Sequence, residues 1–167
     1  MKYHFKYPQI LLFVSLIIIS LNLSAQKSMK KDTPKYAISK TEQEWKAILS
    51  PLQYSVLRDK ATERPFTGKY DNFYKKGTYA CAACGTQLFK SDTKFDAHCG
   101  WPSFDEAIPG TVIYKKDTAF GMIRTEILCA KCGGHLGHVF DDGPTDTGKR
   151  FCVNSASLNF NPKNKQD

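Results

Sequence analysis

Six cysteines carry most of the chemistry available to this chain: Cys81, Cys84, Cys99, Cys129, Cys132 and Cys152. Four of them form two copies of one pattern, Cys81-Ala82-Ala83-Cys84-Gly85 and Cys129-Ala130-Lys131-Cys132-Gly133. Two residues between cysteines let both sulfurs face one tetrahedral ion while amides of the turn donate to the thiolates. The glycine that follows supplies the positive φ such a tight turn often needs. Four thiolates fill the coordination of a zinc ion and leave no vacancy for substrate, so a site of this kind is structural. The interval between Cys84 and Cys129 exceeds that of a simple zinc ribbon and requires a sizeable insertion between the two knuckles. Two other readings fit the same residues. Six cysteines in a small exported chain also suit disulfides, and a C-x-x-C pair can be redox-active, although duplication of the motif counts against that.

Cys99 and Cys152 remain. Cys99 lies in Phe95-Asp96-Ala97-His98-Cys99-Gly100-Trp101-Pro102-Ser103-Phe104, and Cys152 in Arg150-Phe151-Cys152-Val153-Asn154-Ser155-Ala156-Ser157. A third segment, His135-Leu136-Gly137-His138-Val139-Phe140, holds two histidines. A thiolate attacks an electrophilic sulfur when nearby cations or donors lower its pKa. Arg150, on the same strand face as Cys152, can supply positive potential. A protonated histidine can give a proton to a departing oxygen near neutral pH. An extended His135–His138 segment puts the two imidazoles on opposite faces, whereas a turn at Gly137 brings them together. Asn154 can orient this network, and Trp101 can wall in a methyl or thioether group. Each residue also has a plainer reading: Cys152 as inert core, the histidines as structural groups or metal ligands, Trp101 as core, Arg150 as a surface charge, and Cys99–Cys152 as a permanent disulfide.

These side chains need a frame. Thr41 and Glu44 stand as a capping box for a short helix through Trp45 and Leu49. Ser50-Pro51 opens a second helix, with Leu52, Val56 and Leu57 as its buried face. After Arg64-Pro65 the chain reads as short strands between turns: Val112–Tyr114, a longer alternating run Phe120–Leu128, Leu136–Phe140 and Phe151–Val153. The fold class is α+β, mainly β, with antiparallel strands after a helical start.

The 167 residues are 41% hydrophobic and 24% charged, the composition of a soluble globular protein. Lys2 and Lys6 precede an apolar run from Ile10 to Ile19, and Leu23-Ser24-Ala25 ends in small residues. Residues 1–25 are therefore expected to be an export signal, 26–38 a polar linker, 39–162 the folded domain and 163–167 a tail. The protein is expected to be exported, periplasmic or secreted, or held at the membrane if the signal stays uncleaved. The net charge of +8 gathers partly in terminal lysines, which suits a solvated linker better than a nucleic-acid site. A zinc-knuckle nucleic-acid module remains the main rival reading. It gives no work to Cys99, Cys152 or the histidines.

Taken in order, C-x-x-C at Cys81, C-G-W-P-S-F from Cys99, C-x-x-C-G at Cys129, H-L-G-H-V-F from His135 and R-F-C-V-N-S-A-S-L from Arg150 resemble the B-type methionine sulfoxide reductases, which act on methionine-R-sulfoxide. The resemblance covers roughly residues 39–162. It implies two antiparallel sheets and a structural zinc held by Cys81, Cys84, Cys129 and Cys132. It implies Cys152 as nucleophile, Trp101 and Arg150 on the substrate side, and His135, His138 and Asn154 holding and protonating the sulfoxide oxygen. Cys99 matches the resolving cysteine, which would close a disulfide with Cys152 for a thioredoxin-like donor to reduce. Implied substrates are oxidised proteins; nucleic acid is not expected as a partner. His98 departs from the pattern, standing where small residues are common.

Overall fold

The structure, a computed structural model, describes residues 36–163, all within one compact unit. The expected export signal, all but the end of the expected linker, and all but the first residue of the expected tail lie outside the described residues.

Helix α1 (Glu42–Ile48) begins where the capping box is read: the Glu44 N–H donates to Thr41 Oγ1 at 3.3 Å and the Thr41 N–H to Glu44 Oε2 at 2.7 Å. Helix α2 (Pro51–Leu57) repeats the device with Ser50 and Gln53, and proline sits in its first turn. Trp45, Val56 and Leu57 are buried against the sheets. Leu52 is not. Its turn of α2 borders a surface cleft with Thr67 and Asn159, so this leucine is 55% exposed instead of completing the buried face.

Among the described residues nine strands follow, in two antiparallel sheets. The smaller has the order β2-β1-β9, formed by β1 (Gly77–Cys81), β2 (Gln87–Lys90) and β9 (Leu158–Pro162). The larger has the order β3-β4-β8-β7-β6-β5, formed by β3 (Lys94–Phe95), β4 (Ser103–Phe104), β5 (Val112–Asp117), β6 (Arg124–Cys129), β7 (His135–Phe140) and β8 (Arg150–Val153). Aromatic rings join the sheets. Phe89 of β2 stacks on Phe104 of β4 at 4.5 Å, and Tyr79 of β1 meets Phe104 edge-on at 5.0 Å. Buried rings of this kind contribute both area and geometry to a core. The α+β, mainly β reading with two antiparallel sheets holds.

The long strand expected over Phe120–Leu128 is shorter. Thr118–Gly121 forms the reversal between β5 and β6, with Phe120 at φ 58 and Gly121 at φ 71. The expected alternation also fails: Glu126, Ile127, Leu128 and Cys129 are all buried. One face of β6 packs on the core, and the segment after α2 covers the other through Lys60, whose Nζ meets Glu126 at 2.7 Å. A strand covered on both faces loses its two-residue periodicity.

Register sets up the chemistry. On β8, Cys152 stands opposite His138 of β7 on one side and Ser103 of β4 on the other. Directly opposed residues share a face, so these three side chains form one row across the sheet.

Candidate active site

The four-sulfur cluster lies where strands from the two sheets end. Cys81 closes β1 and Cys129 closes β6, and each enters a turn built the same way. The Gly85 N–H donates to Cys81 O at 2.8 Å with Gly85 at φ 74; the Gly133 N–H donates to Cys129 O at 2.8 Å with Gly133 at φ 71. The four sulfurs lie within 4.8 Å of one another, with Cys81–Cys132 at 3.7 Å and Cys84–Cys129 at 3.5 Å. A disulfide would need about 2.0 Å. A tetrahedral ion with metal–sulfur bonds of about 2.3 Å needs sulfur edges of about 3.8 Å, which this cluster matches. These cysteines therefore form a site fit for a structural metal that clamps the two sheets together.

Cys152 opens onto a cleft of about 430 Å³ shared with Trp101, His138, Phe140 and Asn154. The Cys99 sulfur lies 3.9 Å from the Cys152 sulfur, near enough to bond after a small side-chain rotation. The two sulfurs share a proton. The hydrogen bond from Cys152, helped by the Ser103 hydroxyl and Arg150, lowers Cys99 to about 5 against its burial. The same bond to Cys99, together with burial, raises Cys152, and Arg150 opposes the rise.

The two imidazoles reach one face by a route different from the turn considered above. On β6, Ile127 pairs with Gly137 and the next residue, Leu128, pairs with His135, so Leu136 is an extra residue in β7. This β-bulge cancels the odd spacing and leaves the rings 5.6 Å apart. Gly137 is needed there because a Cβ would lie 2.1 Å from the Cys152 carbonyl oxygen. The Leu136 carbonyl, facing Asn154 where the β7–β8 register continues, accepts from the Asn154 N–H at 2.9 Å and from Asn154 Nδ2 at 3.0 Å. Asn154 thus positions the bulge between the histidines, not an imidazole ring directly.

His138 lines the Cys152 cleft, but His135 does not. His135 is 3% exposed, in an adjoining cleft, with Nδ1 2.7 Å from Glu126 Oε1. Burial pushes Glu126 up, yet the His135 and Lys60 hydrogen bonds prevail and hold it at about 2. His138 Nε2 lies 2.8 Å from Asp117 Oδ2, which also accepts from Arg124 at 2.7 Å. Burial lowers the His138 pKa; Asp117 resists while Arg124 and His135 reinforce the fall. The Ala119 amide, then His138 and Arg124, pull the Asp117 carboxyl well below its usual range. Arg150 stands outside the cleft wall. Its guanidinium makes two 2.8 Å bonds to Asp142 and covers the Phe140 ring at 4.5 Å, and its charge lowers both sulfurs. His98, on the Cys99 side, is exposed and turned toward Asp96 at 3.1 Å.

Three positioning residues escaped the sequence reading: Glu63, Asp117 and Glu126. Glu63 grips two segments at once. Its N–H donates to Asn154 Oδ1 at 3.0 Å, its carbonyl accepts from Trp101 Nε1 at 3.1 Å, and its carboxylate accepts from the Ser155 and Ala156 amides. Nothing local in Thr62-Glu63-Arg64-Pro65 signals that role. Glu126 was visible only as a carboxylate inside an apolar run.

A tetrathiolate clamp joined to a cysteine pair, with an imidazole and an indole facing one sulfur, defines a thiol-dependent oxidoreductase domain. Residues 49–162 match the SelR domain family. The chain is 56% identical over 135 residues to the peptide methionine sulfoxide reductase MsrB of Bradyrhizobium diazoefficiens, covering 80% of this chain and 97% of that one. It is 58% identical over 132 residues to the MsrB of Variovorax paradoxus, covering 75% and 97%, and 57% identical over 125 residues to that of Methanosarcina barkeri, covering 74% and 88%. The chain belongs to the MsrB family of peptide methionine sulfoxide reductases.

Two measurements test this geometry. Metal analysis of the reduced protein should give one ion per chain, and Cys81→Ser should lose that ion and melt on the order of 10 °C lower; a metal-free protein of full stability would refute the clamp. In Cys99→Ser the group that raises Cys152 is gone, so alkylation of Cys152 should rise with pH at a lower midpoint than in the wild type. An unchanged or higher midpoint contradicts the shared proton.

Proposed function

We propose that this enzyme reduces methionine-R-sulfoxide in polypeptides to methionine, with Cys152 as nucleophile and Cys99 as resolving thiol. The observation that carries the reading is the Cys152 sulfur, open to the cleft formed with Trp101 and His138 and 3.9 Å from a second sulfur. An apolar indole suits the ε-methyl group, and His138 suits the oxygen, whose departure requires a proton.

Cys152 passes its proton to the Cys99 thiolate as its sulfur attacks the sulfoxide sulfur, a protonated His138 gives a proton to the sulfoxide oxygen, and that oxygen passes to Cys152 as hydroxyl. Methionine leaves and Cys152 becomes a sulfenic acid. The Cys99 thiol then displaces water from that acid, forming the Cys99–Cys152 disulfide. A thioredoxin-like dithiol restores both cysteines by exchange and is itself oxidised. Arg150 contributes positive potential toward both sulfurs, and the Glu126–His135 pair buttresses His138. Zinc is the metal best suited to four thiolates, and it is redox-inert, which separates it from the chemistry. The Lys2–Ala25 pattern supports an exported enzyme that repairs oxidised proteins, periplasmic or secreted, or tethered if that segment is retained.

Separated R and S epimers of a peptide sulfoxide, with dithiothreitol as reductant, test the reading: turnover of R alone is expected, and turnover of S alone assigns the wrong activity. Roles within the pair are tested by substitution. Cys152→Ser should abolish single-turnover methionine formation, while Cys99→Ser should keep that turnover and block thioredoxin-driven recycling. Equal loss of the first turnover in both variants refutes the assignment.

A further inference from the structure

Among the described residues, Arg124 is the one lysine or arginine that lines the Cys152 cleft, beside Trp101 and His138. The chemistry proposed above leaves it without a part. Its guanidinium is held in place but far from saturated. Nη2 donates to Asp117 Oδ2 at 2.7 Å, Nε is buried without a partner, and Nη1 makes no hydrogen bond among the described residues. Only one of the five N–H groups of an arginine is therefore used. Asp59, on the neighbouring cleft, makes no ion pair with it, and Glu126 is taken by Lys60 and His135. Buried donors in folded proteins are nearly always satisfied, so an arginine left this open beside a cleft calls for an acceptor from outside the chain.

Register fixes where that acceptor must lie. Glu126 stands opposite His138 and Thr125 opposite Val139, so Arg124 shares the face of His138 and Cys152. It is displaced along the sheet by two residues, toward Phe140, a step of about 7 Å. Asp117, its direct partner across β5, keeps the guanidinium on this face. In the proposed reaction the sulfoxide sulfur meets Cys152 and its oxygen meets His138, so neither atom lies at that step. Five bonds separate a methionine sulfur from its own main-chain carbonyl oxygen, a reach of about 5–6 Å. That carbonyl oxygen is the acceptor that falls at the required distance.

We infer that Arg124 holds the main-chain carbonyl of the oxidised methionine while the sulfoxide faces Cys152. The enzyme then reads the peptide group of the residue as well as its side chain. A planar guanidinium tethered by a carboxylate presents its remaining donors in a set direction, which a lysine ammonium does not. The inference rests on the functional reading above and adds the substrate group that is recognised.

The test follows single turnovers of the reduced full enzyme over a range of sulfoxide concentrations, after the reductant is removed. Two R-sulfoxides are compared: N-acetylmethionine sulfoxide methylamide, and N-acetyl-(methylsulfinyl)propylamine, which lacks only the carboxamide. The wild type should prefer the methylamide, through a lower half-saturating concentration. In Arg124→Lys the fall for the methylamide should exceed any fall for the truncated sulfoxide by about tenfold. Arg124→Gln, which also keeps an N–H donor for Asp117, should do the same and serves if lysine impairs folding. The inference is overturned if the wild type treats both compounds alike, or if both lose equally in the variants. Equal loss would leave Arg124 acting on His138 through Asp117 alone. A wild type that reduces neither compound removes the functional reading itself, a result distinct from these.

Discussion

One extra residue in β7 sets the geometry on which the site depends. An unbroken strand would carry His135 and His138 on opposite faces. The bulge at Leu136 puts both on the face that bears Cys152, and glycine at 137 lets β7 and β8 approach to where a Cβ would meet the Cys152 carbonyl oxygen at 2.1 Å. The buried Leu136 carbonyl beside the bulge accepts from both the Asn154 N–H and Asn154 Nδ2, with the Ser157 hydroxyl at 3.4 Å. Strand pairing, the imidazole pair and the residue two beyond Cys152 are thus one arrangement.

Electrostatics divides the labour around the sulfurs. Carboxylates hold both imidazoles, Glu126 at His135 Nδ1 and Asp117 at His138 Nε2, and of the two rings it is His138 that lines the Cys152 cleft. Arg150 is neutralised by Asp142 at its tip yet still favours a thiolate in the Cys99–Cys152 pair. The four-cysteine cluster lies apart from all of this, where strands of the two sheets end.

Much of the site was legible because its residues are chemically unusual and regularly spaced. Paired C-x-x-C-G turns, a cysteine in Arg150-Phe151-Cys152, and two nearby histidines announce themselves. The helix caps were also legible, since Thr41/Glu44 and Ser50/Gln53 form local contacts. What could not be read is long-range. Leu52 follows the apolar spacing of a buried face but lies at a surface cleft, a matter of where α2 docks. The Phe120–Leu128 alternation hid a left-handed reversal with phenylalanine where glycine or asparagine is the usual signal. The pairing of Arg150 with Asp142 was hidden because the two lie across a turn. Glu63 had no signal: each of its contacts lies at least 38 positions along the chain.

Glu63 also bears on stereochemistry. A sulfoxide sulfur is pyramidal, and its mirror forms differ only in which corner holds oxygen and which holds a carbon substituent. Telling them apart requires at least three surfaces whose mutual distances do not relax to suit the visitor. By holding the asparagine and the indole through its backbone and the amides after the asparagine through its carboxylate, Glu63 ties the Trp101 and Asn154 surfaces together before anything binds. Chirality is then judged by a fixed mould, and the entropy of building that mould is met during folding.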